Sequence, residues 1–239
     1  WIALQFLSSL PIRLPGMPAP EQLGRSLLCY PLVGVLFGVL LWALNGLLAG
    51  SPVWLHATLL LTAWVMLSGG LHLDGLADSA DAWVGGFGDR ERTLVIMKDP
   101  RSGPIAVVTL MLVLLLKFAA LLALIEQQAT VGLILAPLLG RTALLGLFLN
   151  TPYVRAGGLG QALADHLPRQ SARWVLLLSA AACLLLGGWS GASALAVALL
   201  TFFILRRLML QRLGGTTGDT AGALLELLEM TVLVALALH

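Results

Sequence analysis

Charged residues are scarce in this sequence. Asp, Glu, Lys and Arg make up 11% of its 239 residues, whereas 59% are hydrophobic, and the mean hydropathy is +0.94. Soluble domains contain roughly 25% charged and about 45–50% apolar residues. A water-soluble fold of this length could not bury so much apolar surface, so we expect lipid to be its main solvent.

Cysteines and basic clusters are scarce as well. The two cysteines, Cys29 and Cys183, both lie in apolar runs, which argues against a disulfide scaffold and a thiolate metal site. The net charge is only +2, and no basic face of the kind that binds nucleic acid is present. No polar linker, block of charge or low-complexity stretch divides the chain. We therefore predict residues 1–239 to be a single integral membrane domain.

Long apolar runs, by contrast, are frequent. A helix needs about 20 apolar residues to cross a bilayer. The candidate spans are Leu27–Ala49, Val53–Gly70, Pro104–Ile125, Val131–Leu149, Arg173–Leu186, Ser193–Leu205 and Ala223–Leu238. The fifth and sixth are short and interrupted at Gly187 and Gly188, so a tight hairpin or a re-entrant pair is the alternative there. Ile2–Leu14 is predicted to be an interfacial helix.

The basic residues then indicate the orientation of an all-α, polytopic transmembrane helix bundle of about seven spans. Three alternate loops, Gly50–Pro52, Glu126–Thr130 and Gly187–Ala192, contain no Lys or Arg, whereas the intervening loops contain most of them. Basic loops normally stay in the cytoplasm. We therefore expect a cytoplasmic amino terminus, with the long loops 69–103, 150–172 and 206–222 on the cytoplasmic side.

An acidic segment follows the second span and is predicted to continue it directly. Asp74, Asp78 and Asp81 are spaced so that a helix would place them on one face, about 10 Å from end to end. An unpaired carboxylate in a bilayer costs roughly 2.5–3.5 kcal/mol, so a counter-charge is expected. Hard oxygen ligands suit Mg²⁺ or Mn²⁺. The alternative is a solvated helix end, but the opposite face of the segment is apolar, which favours a packed helix and a metal site.

The loop after this segment supplies charge of the opposite sign. Its basic residues suit a phosphate clamp, and these are Arg90, Arg92, Lys98 and Arg101. Mg²⁺ held by carboxylates commonly binds substrate phosphates. The combination predicts phosphoryl transfer, in which catalysis depends on positioning and on neutralising charge.

A second polar cluster precedes and enters the last span. The segment 214–220 (GGTTGDT) presents backbone N–H groups and hydroxyls, including that of Thr217, that suit an anion, although such segments are often ordinary turns. Asp219, Glu226 and Glu229 share one helical face. Glutamates within a span are functional by default, but they could instead pair with Lys117 or Arg141, the basic residues inside spans. Both interpretations stay open.

These motifs together resemble the cobalamin synthase family. The resemblance rests on 72–81 (HLDGLADSAD), 89–92 (DRER), 96–99 (IMKD), 30–34 (YPLVG) and 214–223 (GGTTGDTAGA). It extends over nearly the whole chain. The chain departs from the family pattern at Ala82, where we expect Gly, at Pro100, where we expect Ser, and at Pro104, where we expect Thr.

With the resemblance, we expect a membrane-bound enzyme of the bacterial cytoplasmic (inner) membrane, and the distribution of basic residues places its active site on the cytoplasmic side. The resemblance implies transfer of the adenosylcobinamide phosphate moiety of adenosylcobinamide-GDP to α-ribazole or α-ribazole 5′-phosphate, with release of GMP. Mg²⁺ is the implied cofactor, and Mn²⁺ is an alternative. The small-molecule substrates and the lipid bilayer are the expected partners, and the sequence leaves open whether the chain forms a homo-oligomer.

The residues are assigned hypothetical roles on this basis. The predicted metal ligands are Asp74, Asp78, Asp81, Asp99 and Asp219. Asp81 and Asp99 are the first candidates for the base that accepts the proton of the ribazole 3′-hydroxyl. The predicted substrate contacts are His72, Arg90, Arg92, Lys98, Arg101, Thr217, Glu226 and Glu229.

Two other classes of protein compete with the enzyme. A cation-coupled transporter would use the acidic cluster as an ion site, but no internal repeat of the kind common in transporters is evident. A non-catalytic scaffold for a biosynthetic complex would leave the acidic face unexplained.

Overall fold

The computed structural model describes residues 1–155 and 157–238, apart from the side chain of Leu159. Within these residues it contains helices and no named strand. The helices are α1 (Ile2–Leu7), α2 (Pro20–Ser26), α3 (Tyr30–Leu47), α4 (Val53–Ser68), α5 (Leu71–Gly85), α6 (Arg90–Ile96), α7 (Pro104–Glu126), α8 (Gly132–Asn150), α9 (Leu159–Asp165), α10 (Arg169–Leu213) and α11 (Gly218–Ala237). This confirms the predicted all-α class.

Several helices are long and apolar enough to cross a membrane. In the described part of the chain there are five: Pro20–Leu47, in which a 3₁₀ turn joins α2 to α3, and α7, α8, α10 and α11. Counting the bent pair α4 and α5 as one span gives six. The protein is therefore an integral membrane helix bundle, and the predicted number of about seven spans is compatible with it.

The difference between these six spans and the predicted seven lies in α10, which folds back on itself. Gly188 has φ +53° and ψ −122°, a backbone conformation outside the helical region. The Sγ atom of Cys183 lies 3.4 Å from the carbonyl oxygen of Gly191, although eight residues of straight helix would separate them by about 12 Å. Segments 169–187 and 189–213 therefore form the tight hairpin considered as the alternative for the fifth and sixth spans.

The acidic helix turns away from the span that precedes it. Gly69 and Gly70 have φ values of +65° and +72°, a region that glycine enters without the steric strain of a Cβ atom. They produce an angle of 88° between α4 and α5. The prediction that the acidic segment directly continues the second span was therefore wrong, because two left-handed residues end α4.

The amino-terminal segment is also less helical than predicted. Helix α1 ends at Leu7 rather than Leu14. After it, Ser9 is bound to the end of α4, because its backbone N–H donates to the carbonyl oxygen of Leu67 at 2.8 Å. This contact satisfies a free carbonyl group at a helix end and draws the chain out of helical geometry before Pro11.

Helix α8 is the centre of the bundle and is buried along most of its length. Small residues allow its neighbours to approach closely, as is common between membrane helices. Gly38 of α3 packs against Ile134, and Gly140 of α8 packs against the side chain of Glu229 of α11. The hairpin of α10 covers another side of α8, where Phe202 and Leu176 contact Gly146.

One end of the bundle contains several basic side chains and several helix termini. Arg169, at the start of α10, donates to the carbonyl oxygen of Leu149 at 3.2 Å. Arg206, in the returning half of α10, donates to Thr151 Oγ1 at 3.0 Å. Both contacts join the two ends of the hairpin to the end of α8. This basic end also contains the start of α11, because Arg155 pairs with Asp219 there.

Candidate active site

Helices α5 and α11 cross at glycines, and this crossing places the acidic face. A Cβ atom added at Gly75 would lie 2.8 Å from the carbonyl oxygen of Asp219, and one added at Gly222 would lie 3.1 Å from the carbonyl oxygen of His72. Because neither position has a side chain, the two backbones meet directly. The first aspartates of α5 are thereby brought beside Asp219 in the first turn of α11.

A cavity of about 600 Å³ opens at this crossing. Its charged lining residues are Asp74, Lys98, Arg155 and Asp219, and His72 and Tyr30 are polar lining residues. Arg155 Nη1 donates to Asp219 Oδ2 at 2.8 Å. The cavity therefore combines carboxylates with cations, which is the combination expected for a metal and a phosphate.

Asp78 lies one helical turn beyond Asp74 and is half-buried. It is within electrostatic range of three carboxylates, Asp74, Asp81 and Asp219, and of the cation Arg155. Like charges at this separation repel one another. The group formed by Asp74, Asp78 and Asp219 therefore has an excess of negative charge that favours binding of a cation.

Asp81 has a structural contact of its own. Its carboxylate oxygens accept hydrogen bonds from the backbone N–H groups of Gly103 and Ala106, at 2.5 and 2.9 Å. These groups belong to the beginning of α7, where N–H groups lack partners within the helix and the helix dipole favours an anion. Asp81 therefore caps α7. Its predicted roles as metal ligand and base remain predictions.

Asp99 lies outside the lining of this cavity. Its two oxygens accept hydrogen bonds from Nε and Nη2 of Arg101 at 2.9 and 2.7 Å. These hydrogen bonds, together with one from the backbone N–H of Arg101, lower the pKa of Asp99 to about 2. Such a carboxylate is a weak base at neutral pH, so a catalytic role for Asp99 would require Arg101 to move away.

The predicted basic clamp is only partly gathered at the cavity. Lys98 lines it. Arg90 instead donates from Nε to the carbonyl oxygen of Leu213 at 2.7 Å, which satisfies a free carbonyl group at the end of α10. The guanidinium group of Arg92 lies 5.0 Å from the centre of the Phe87 ring. Arg90 and Arg92 are therefore engaged away from the lining of the cavity.

Thr217 is buried and caps α11. Its hydroxyl accepts a hydrogen bond from the backbone N–H of Thr220 at 3.2 Å, and the Thr220 hydroxyl accepts one from the backbone N–H of Thr217 at 2.9 Å. This reciprocal pair stabilises the start of the helix. Thr217 thus orients the turn that presents Asp219, whereas its own side chain is not among the cavity-lining residues.

Glu226 and Glu229 are buried in the bundle. Of the two interpretations, the structure shows the one in which they pair with Lys117 and Arg141. Lys117 Nζ donates to Glu226 Oε2 at 2.6 Å and to Glu229 Oε2 at 2.9 Å. Arg141 Nη1 pairs with Glu229 Oε1. Two cations and two anions thus compensate one another, and neither glutamate lines the cavity.

Sequence reasoning missed Arg155, Tyr153 and Tyr30 as residues of this cavity. Tyr30 belongs to a recognised motif, but no pattern in the motif indicates that its side chain lines the site. Arg155 and Tyr153 lie in a loop of weak pattern, and a bridge between Tyr153 and Thr216 carries that loop to the start of α11. The one sequence signal that could have identified any of them is the position of Arg155 in a long basic loop.

A metal ion in this cavity would need further ligands besides the described side chains. In residues 1–155 and 157–238, no group of three or more His, Cys, Asp and Glu residues is arranged to hold a metal ion. Mg²⁺, however, usually keeps several waters and takes one or two carboxylates together with substrate phosphates. The hard oxygens of Asp74, Asp78 and Asp219 fit that mode of binding.

Comparison with known proteins gives consistent results. The sequence profile of the family described as cobalamin-5-phosphate synthase matches residues 1–237. Curated proteins named adenosylcobinamide-GDP ribazoletransferase are 77% identical in Pseudomonas fluorescens Pf-5, 75% in Pseudomonas syringae pv. syringae B728a and 72% in Pseudomonas putida F1. In each case the alignment covers 100% of this chain and 98% of the relative. No solved structure matches the chain.

Proposed function

Because this chain belongs to the cobalamin-5-phosphate synthase family, we propose that it transfers the adenosylcobinamide phosphate moiety of adenosylcobinamide-GDP to α-ribazole or α-ribazole 5′-phosphate. GMP is released, and the product is adenosylcobalamin or its 5′-phosphate. The relatives at 72–77% identity that are named for this reaction support the proposal. Because those relatives are named as transferases, the comparisons favour an enzyme over the transporter considered as an alternative.

The reaction is a displacement at phosphorus. The 3′-oxygen of the ribazole attacks the phosphorus atom attached to the corrinoid arm, the bond from that phosphorus to the GMP oxygen breaks, and the 3′-hydroxyl proton passes to a base. Little covalent chemistry is asked of the protein in such a transfer, so positioning and charge neutralisation dominate. The observation that carries the proposal is the cavity in which Asp74 and Asp219 meet Lys98 and Arg155.

Mg²⁺ is proposed as the cofactor, and Asp74, Asp78 and Asp219 would hold it. When bound, it would neutralise the diphosphate and polarise its oxygens. Mn²⁺ suits the same oxygen ligands. The excess of carboxylates over cations around Asp78 supports this assignment, and the diphosphate of the substrate would complete the set of ligands.

Lys98 and Arg155 are proposed to bind the phosphates of the substrate. Arg155 is oriented by its ion pair with Asp219, so its guanidinium group is held at the cavity before a substrate arrives. Lys98 is exposed and can reach a phosphate as a mobile point charge. Together they would stabilise the negative charge that accumulates on the departing GMP.

For the base, the carboxylates on α5 are the better candidates. Asp99 holds its proton weakly because its pKa is lowered to about 2 by Arg101. Asp81 retains unused lone pairs beyond the two hydrogen bonds that it accepts from α7. We therefore propose Asp81, with Asp74 and Asp78 beside it on the same face, as the first positions to vary in a search for the base.

We also propose a location for the protein, the bacterial cytoplasmic membrane. The basic end of the bundle, which contains Arg155, Arg169 and Arg206, would face the cytoplasm. Basic loops favour that side, and a nucleotide-bearing substrate would then enter the cavity from the cytoplasm.

Release of GMP tests the proposed function. The purified enzyme is supplied with adenosylcobinamide-GDP, α-ribazole and Mg²⁺, and GMP and the corrinoid product are quantified. We expect D74N and D78N to lower the rate by about 100-fold or more, because each removes a group that stabilises charge in the reaction. E126Q, an exposed change at the opposite end of α7, is the matched control. Full activity of D74N and D78N would contradict the proposed mechanism.

A further inference from the structure

Tyr30 and His72 line the cavity, and each has a buried polar atom without a hydrogen-bond partner in the described part of the chain. These atoms are the hydroxyl oxygen of Tyr30 and Nδ1 of His72. The residues are 1% and 4% exposed. Buried polar atoms in native proteins are nearly always hydrogen-bonded. One atom comes from α3 and the other from α5, and a ligand in the cavity would supply the hydrogen bonds that both lack.

The surroundings of these two groups are aromatic and apolar. Phe6 stacks on Tyr30 with ring centres 6.5 Å apart, and Phe148 stacks on Tyr153 with ring centres 6.1 Å apart. All four rings line the cavity, and leucines complete this part of its wall. A binding site of this composition suits a flat, uncharged ring system with few polar atoms.

The size of the cavity excludes the corrinoid part of the donor substrate, and its largely apolar wall disfavours the guanine base of that donor, which has several hydrogen-bond donors and acceptors. Pockets of about 300–1,000 Å³ hold ligands of the size of typical drugs, and this cavity measures about 600 Å³. A nucleoside with a bicyclic base fits within it. A corrin macrocycle with its amide arms is several times larger, so most of the corrinoid must stay outside.

On the basis of the proposed function, we propose that Tyr30 and His72 bind the acceptor nucleoside. The base of α-ribazole is a neutral benzimidazole with one free ring nitrogen, which accepts a hydrogen bond. The hydroxyl of Tyr30 donates to that nitrogen, and the base lies against Phe6 and Phe148. The imidazole of His72, which has both a donor and an acceptor when neutral, binds a ribose hydroxyl. Tyr30 is thus a specificity-determining residue for the acceptor.

The variant Y30F tests this proposal, because it removes only the hydroxyl. We expect the KM for α-ribazole to rise about tenfold, as for one lost hydrogen bond, while the KM for adenosylcobinamide-GDP stays within about twofold. The Tm should be unchanged or higher, since the hydroxyl has no protein partner in the described residues. The matched control is S79A, which removes a buried hydroxyl of α5 that has no partner among the described residues and does not line this cavity. It should change neither KM.

A change in the ligand provides a test that does not depend on the folding of the variant. Calorimetric titration of the wild-type protein is carried out with α-ribazole and with its indole analogue, which lacks the free ring nitrogen. We expect the analogue to bind about tenfold more weakly to the wild type, and Y30F to bind both ligands equally. Equal binding of both ligands by the wild type would overturn the proposal, as would a parallel rise of both KM values in Y30F.

This design separates the two proposals from each other. A wild-type protein that binds α-ribazole with the expected discrimination but releases no GMP would contradict the proposed function alone. A wild-type protein that releases GMP while Y30F retains its KM for α-ribazole would contradict only the assignment of Tyr30.

Discussion

Single residues in this protein acquire their roles from partners that are distant in the sequence. Glu229 pairs with both Lys117 and Arg141, whereas Glu226 pairs only with Lys117 among the residues that the structure describes. The rings of Trp64 and Phe37 lie over the two cations, with centres 5.1 Å from Lys117 Nζ and 4.5 Å from Arg141 Cζ. This buried, compensated group joins α3, α4, α7, α8 and α11, so it contributes to the specific arrangement of the bundle.

The stability lost when one buried glutamate is neutralised should therefore increase with the number of cations that it pairs with. We expect E229Q to lower the free energy of unfolding by about 3–5 kcal/mol, because it leaves Arg141 buried without its counter-charge. E226Q should cost less, since Lys117 keeps Glu229 as a partner. Thermal unfolding in detergent measures the ranking, with the exposed variant E126Q as control. Equal Tm values for E229Q and E126Q would show that the ion pairs contribute no stability.

Two of the three departures from the family pattern, Pro104 and Ala82, are explained by their immediate surroundings. Pro104 is the first residue of α7, a position where the missing N–H of proline has no partner to lose and its fixed φ suits the helix. Ala82 is fully buried and belongs to a small cluster with Met97 and Leu213, so a methyl group is accommodated there. For Pro100, an exposed residue of the loop, the structure offers no explanation.

At the scale of elements, the crossing of α5 and α11 determines where the acidic face lies. The helices touch through Gly75 and Gly222, and the turn at Gly69 and Gly70 directs α5 across the bundle. Asp81 then fastens the far end of α5 to the start of α7. The glycine crossing, the turn and the hydrogen bonds of Asp81 thus fix the position of one helix of fifteen residues, which is a rigid support for a charged site.

The substitution G75A tests the importance of this crossing. A Cβ atom there would lie 2.8 Å from the carbonyl oxygen of Asp219, so the helices must separate. We expect a loss of about 1–3 kcal/mol in stability, as for overpacking, together with a lower rate of GMP release.

The control for this substitution is G46A. Gly46 lies in α3, and a Cβ atom added there would have no atom of the described residues within 4 Å. Alanine favours the helix by up to about 1 kcal/mol over glycine, so G46A should retain activity and its Tm should stay level or rise. If G75A behaved like G46A in both measurements, the close approach of α5 and α11 would not be needed for function.

At the scale of the whole molecule, the proposed orientation predicts which side of the membrane each end of α7 faces. Ser102, just before α7, and Glu126, its last residue, are both exposed and lie at opposite ends of the same helix. In a background without Cys29 and Cys183, we expect S102C to react with a membrane-impermeant maleimide only in inside-out vesicles. E126C should react only in right-side-out vesicles.

The cysteine-free parent measures background labelling in both preparations. Labelling of S102C from outside would reverse the proposed orientation and place the cavity on the outer face of the membrane. Labelling of both positions from one side would contradict a span formed by α7. Because the two reporters lie at the two ends of α7, the comparison does not depend on the number of spans elsewhere.

The sequence by itself determined the all-helical membrane class, the approximate number of spans and the acidic face of α5. These features depend on local properties, since hydropathy and periodicity act within a single helix. It also supplied both interpretations of the glutamates in α11. It could not choose between them, because the choice depends on whether Lys117 and Arg141, on two other helices, face the same interior.

Only the tertiary structure decided the angle between α4 and α5, the pairing of Glu226 and Glu229, and the use of Asp81 and Thr217 as helix caps. It also brought Tyr30, Tyr153 and Arg155 to the cavity. Each of these depends on contacts between residues far apart in the chain, which the hydropathy of the sequence does not predict. The acidic segment could be recognised from the spacing of its aspartates. The residues that surround it could not, because they depend on the close approach of α5 and α11 that Gly75 and Gly222 allow.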